Sequence, residues 1–131
     1  MGRFFSDRVE TALKYIYCDL RTGRGQQGFR LLQQAVQDGD ADACCLLARC
    51  LYGPAYTWPG HGFPVDDQAG DALMRRSVLE GSAIGALLSL RSGVMNRQLA
   101  QAMPLSLQEA FDTVQDKAEH GEPFCQMLIG N

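Results

Sequence analysis

The chain has 131 residues, 46% of them apolar and 21% charged, and a net charge of −3. That length and balance suit one globular domain with its own core and argue against a disordered chain. No apolar run is long enough to span a bilayer. Residues 31–131 carry twelve acids against six Lys or Arg, which argues against general nucleic-acid binding, since that relies on neutralising phosphates.

The first segment, MGRFFSDRVETALKYIY, is broken by charge at Asp7, Arg8, Glu10 and Lys14, so it does not read as a signal peptide and the expected location is cytoplasmic. Residues 1–30 hold six Lys or Arg against three acids, read as a solvated helix face. Ser6 is a plausible N-cap, and Val9, Leu13, Ile16 and Leu20 recur at helical spacing, which predicts a helix over 7–20. The glycines of RTGRGQQG then predict a break. Leu31, Leu32, Ala35 and Val36 share the face of a second helix, which Gly39 ends as a C-cap glycine. Asp40 can N-cap the helix that follows, ADACCLLARCLY.

This helix–tight turn–helix unit recurs around Gly81 and Gly121, and Pro64 and Pro104 each stand seventeen residues ahead of the turn glycine. Eleven residues before the three glycines come Gly28, Gly70 and Ala110, all small. Seven before come Leu32, Met74 and Val114, and three before come Val36, Val78 and Ala118. The glycines are 42 and then 40 residues apart. A helical hairpin at such a period predicts an all-α superhelix, because one hairpin cannot cover its own apolar face and must stack on the next. The expected layout is a single domain over 1–131, with an N-terminal helix at 7–20 and repeats at 24–53, 62–95 and 104–131.

GFPVDDQAGDALMRRSVLEGSAIGA and QQAVQDGDADACCLLARCLYG resemble Sel-one-like repeats, relatives of the tetratricopeptide repeat. Gly62, Pro64 and Asp66 match that family's opening; Gly39, Ala41, Ala43 and Leu47 match its turn and second helix; Gly121, Ile129 and Gly130 match the last repeat. The resemblance implies a protein–protein interaction module, an adaptor or scaffold holding a peptide or protein on its concave face, with no catalytic residues, cofactor or metal.

Five cysteines are an odd number, which predicts free thiols in a reducing compartment. Cys44, Cys45 and Cys50 fall on different faces of one helix, at about 100° per residue. They therefore read as packing residues in preference to a metal or redox site, and the thiol-based enzyme or redox sensor stays as a lesser alternative. The acids Asp66 and Asp67 complement a helix dipole. The loop GPAYTWPGHGFP, residues 53–64, either folds Tyr56, Trp58 and Phe63 back over the core or presents them for recognition. First-helix positions not used in stacking give a candidate partner surface of Arg30, Gln34, Ala72, Arg76, Asp112 and Asp116, to which Trp58 is added. Alanine at Arg30 and Arg76 is expected to weaken a groove ligand. Self-association into homo-oligomers through an open end of the stack is the other reading.

Overall fold

The computed structural model describes residues 4–130, and all regular structure among them is helical. Met1–Arg3 and Asn131, where the amino-terminal reading starts and the third repeat ends, lie outside the described residues. Helix α1 (Asp7–Leu13) runs into a π-helical turn (Lys14–Cys18). Then come α2 (Arg24–Gln37), α3 (Ala41–Leu51), two 3₁₀ turns (Pro54–Tyr56 and Pro59–His61) and α4 (Asp67–Leu79). The order closes with α5 (Ala83–Ser92), α6 (Arg97–Ala102), α7 (Leu107–Glu119) and α8 (Pro123–Leu128).

Two expectations are corrected at the amino-terminal end. The first helix stops at Cys18: Asp19 N–H reaches back five residues to the Lys14 carbonyl at 2.7 Å, and Asp19 itself leaves the helix in an extended conformation. Leu20 is consequently off the apolar face and 41% exposed. The glycine-rich stretch is not a break throughout, because α2 already begins at Arg24. Gly25 and Gly28 are helical and buried, each covered by another element: a Cβ on Gly25 would lie 2.0 Å from His61 Nδ1, and one on Gly28 would lie 2.9 Å from Ile16 Cγ1. Helix α6 had no counterpart in the sequence reading.

The three turns at Gly39, Gly81 and Gly121 share one backbone geometry, with glycine φ values of +87°, +94° and +99°. In each, the glycine N–H bonds the carbonyl three residues back (Val36, Val78, Ala118), and the next N–H bonds the carbonyl five residues back (Ala35, Ser77, Lys117), all at 2.9–3.1 Å. This double closure satisfies carbonyls that a helix end leaves open, and it needs a left-handed residue that glycine adopts without strain. The next residue, Asp40, Ser82 or Glu122, then N-caps the second helix by accepting from Ala43, Gly85 or Cys125 N–H at 3.2, 2.9 and 2.6 Å. Two of the first helices are started alike. Pro64 and Pro104 each precede by two residues an N-cap, Asp66 or Ser106, and Ser106 forms a reciprocal capping box with Glu109.

One packing contact recurs from hairpin to hairpin. Helix α2 lies against α1, α4 against α3, and α7 against α5, so each first helix meets the second helix, or α1, that comes before it. The small position eleven residues before each turn makes that approach possible: a Cβ on Gly70 would lie 2.8 Å from Tyr52, and Ala110 is fully buried. Leu46, Leu88 and Leu128, seven residues after each turn, are all buried, at about 2 kcal/mol of burial free energy each. Helix α3 has neighbours in α2, α4 and α5, so Ala43–Ala48 and Cys50 are buried on every side.

A candidate interaction site at the seam of the first and last helices

The amino-terminal segment also touches the third hairpin. The Tyr17 and Phe124 rings are 5.8 Å apart, and Lys117 Nζ sits 4.5 Å from the centre of the Phe5 ring. Between the α1/π segment and α8 lies a cleft of about 380 Å³. Its apolar lining comes from Leu13, Tyr17, Phe124 and Met127, and its polar lining from Glu10, Lys14 and Glu122. Met127 is 42% exposed because Cys125 and Leu128 take the inward positions of the short helix α8. Glu122 is held by its capping bond to Cys125 N–H.

Arg49 fixes the wall of this cleft. From α3 its guanidinium donates to Tyr17 Oη at 3.0 Å and to the Tyr56 carbonyl at 2.9 Å. Its Cζ also lies 5.4–5.9 Å from the rings of Phe124, Tyr56 and Tyr17, within cation–π range. Burial raises the Tyr17 phenol above its ordinary pKa, against the lowering pull of Arg49, so Tyr17 is a neutral acceptor here.

The titratable groups that line the cleft are Glu10, Lys14, Tyr17, Cys18 and Glu122. Neither histidine lines the cleft, and both bond backbone carbonyls: His61 Nε2 to Ile16 O and His120 Nδ1 to Asp116 O. The cysteines of α3 and α8 are packing residues. Burial pushes Cys44 up to about 11, Cys50 and Cys125 to about 12, and Cys45 well above its usual value, so none is a thiolate at neutral pH. Cys44 is raised despite its place in the first turn of α3, because desolvation outweighs the pull of Arg76, and Glu80, Asp40 and Asp42 add to the rise. Among the described residues, no group of three or more His, Cys, Asp or Glu is placed to hold a metal ion. None of the helices among the described residues is long and apolar enough to cross a membrane.

The residues expected to form a partner surface are exposed but spread over three helices. Arg30 and Gln34 line one depression between α1 and α2, with Tyr15 and Leu31. Arg76 is engaged structurally, pairing with Glu80 and donating to the Val36 carbonyl at 3.2 Å, which caps the last turn of α2. Asp112 accepts from Gln108, and Asp116 lies 3.5 Å from His120. In the loop, Phe63 folds back onto Phe29 with ring centres 5.0 Å apart, whereas Trp58 stays 42% exposed, edge-on to His61. The seam residues escaped the sequence reading. Met127 carries a faint signal, an apolar residue off the repeat's inward positions, but nothing in the pattern brings Tyr17 to Phe124.

Comparison with known proteins found no match: no family model, no curated protein and no solved structure.

Proposed function

We propose that the protein is an interaction module, an adaptor or scaffold of Sel-one-like, tetratricopeptide-related architecture, that binds a peptide or protein through the seam between α1 and α8. The reading of the hairpins as a superhelix is supported by the identical turns and by the recurring contact of each first helix with the helix before it. The observation that carries the binding assignment is the seam itself, an apolar cleft large enough for one or two side chains, with Met127 exposed at its edge. Polar groups at its lining, Lys14 and Glu122, would orient a ligand without reacting with it. Five free thiols suit a reducing compartment such as the cytoplasm.

Selection of displayed peptides against the full chain tests this. Enriched peptides should share an apolar anchor and lose at least tenfold in affinity with Met127→Glu, whose circular dichroism should match the parent. Peptides insensitive to Met127→Glu but lost with Arg30→Ala and Arg76→Ala would place binding on the first helices and overturn the seam.

A further inference from the structure

The residue after each turn glycine caps the next helix, and in the first two hairpins that cap also reaches a second element. Asp40 accepts from Ala43 N–H through Oδ1 at 3.2 Å and from Ser6 Oγ through Oδ2 at 2.6 Å. Ser82 Oγ accepts from Gly85 N–H at 2.9 Å and donates to Asp42 at 2.7 Å. In the third hairpin Glu122 Oε2 accepts from Cys125 N–H at 2.6 Å. Among the described residues, no other N–H or O–H donates to this carboxylate, and no Lys or Arg forms an ion pair with it. The Cys125 thiol, a weak donor, also interacts with it. Glu122 is nevertheless only 5% exposed. No buried side-chain oxygen or nitrogen among the described residues lacks a partner, so Oε1 keeps contact with open space. The space that Glu122 lines is the cleft of the seam, from the α8 side, with Glu10 and Lys14 on the α1 side.

We propose that the ligand of the seam is a peptide with a lysine or arginine beside its apolar anchor, the basic side chain donating to Glu122 Oε1 while the anchor lies on Leu13, Phe124 and Met127. This rests on the seam being the binding site and adds what the ligand must carry there. Burial and charge choose the cation. A purely apolar ligand would strip the remaining water from Oε1 and leave a buried carboxylate uncompensated, whereas a charged donor replaces that water and pairs the charge. An acidic ligand would meet like charge in a place of low polarity. Lys14 follows Glu10 by four residues on the α1 side, so those two offset each other and the charge left over is that of Glu122. Arg49, behind the aromatic wall, is engaged by Tyr17 Oη and the Tyr56 carbonyl.

Two displayed peptide libraries test it against the full chain, one fixing a lysine or arginine next to a leucine, the other a glutamate or glutamine in the same place. The basic library should enrich. Its binders should lose about fivefold in affinity with Met127→Gln, a neutral change at the cleft edge that marks them as seam ligands. They should lose about tenfold when norleucine replaces the basic residue. Glu122→Gln, which keeps an oxygen for the cap, should cost the same and add nothing to the loss caused by norleucine. Its circular dichroism should match the parent, and if it does not fold the norleucine peptides decide alone. Seam ligands that carry no basic residue, or that tolerate norleucine, overturn the cation and leave the seam standing. Binders that ignore Met127→Gln overturn the seam and this inference with it, as does enrichment from neither library.

Discussion

His61 donates its Nε2–H to the carbonyl of Ile16 at 2.6 Å, and this bond ties the 53–64 loop to the π-helical end of the first helix. A helix end leaves its last carbonyls without intrahelical donors. The imidazole supplies one, stacks on Phe63 with ring centres 4.9 Å apart, and lies against Gly25. One buried ring thus joins α1, α2 and the loop.

His61→Ala removes that donor and the packing around it. The expected loss is about 2 kcal/mol of stability, read as a lower urea midpoint. Emission from Trp58, the single tryptophan, should shift to the red in the folded variant as its edge contact with the imidazole disappears.

Gly25→Ala should destabilise even though alanine is the better helix former by about 1 kcal/mol, since the new methyl would overlap the imidazole. In a His61→Ala background the same change should become neutral or stabilising. A double-mutant cycle checks this, and the two substitutions must be strongly non-additive.

Arg49→Ala should cost about 3 kcal/mol, for two hydrogen bonds from a charged donor and its contacts with three rings. Arg49→Lys should recover less than half, because an ammonium cannot reproduce the planar fork. Denaturant unfolding gives the loss, and limited proteolysis should show faster cleavage within residues 53–60.

Thiol titration of the native chain at pH 8 should count one reactive group, Cys18, with the other four appearing only in denaturant. The same burial makes the fold base-sensitive. Cys44, Cys50 and Cys125 keep their protons in the folded state to about pH 11–12, and burial raises Cys45 in the same direction, while the unfolded chain ionises near 9. The unfolded state therefore binds fewer protons between those values, and stability falls as pH rises through that window. At pH 10 the loss is about 1 kcal/mol per thiol, so Tm should drop by about 10 °C relative to pH 8.

The hairpins were legible in the sequence because their causes are local. Gly39, Gly81 and Gly121 are needed wherever a helix closes in the left-handed conformation, and Gly28, Gly70 and Ala110 wherever two helices approach closely. In the second helices Leu46, Leu88 and Leu128 form a buried set that the pattern of turn offsets did not single out, next to Leu47, which is buried as well. The end of the first helix was misplaced because Leu20 fits the period while the π turn shifts the helical phase. The seam was illegible, since Tyr17 and Phe124 are separated by most of the chain and meet only through the accumulated geometry of three hairpins.

The contact between Tyr17 and Phe124 bears on how the chain comes apart. In an open row of repeats each unit touches only its neighbours, so the ends can fray while the middle persists. Here the first helix also leans on the last hairpin, through Phe5 and Lys117 as well as through Tyr17. Peeling either end exposes surface on the other. The three hairpins should therefore unfold together, in a single step by heat or urea.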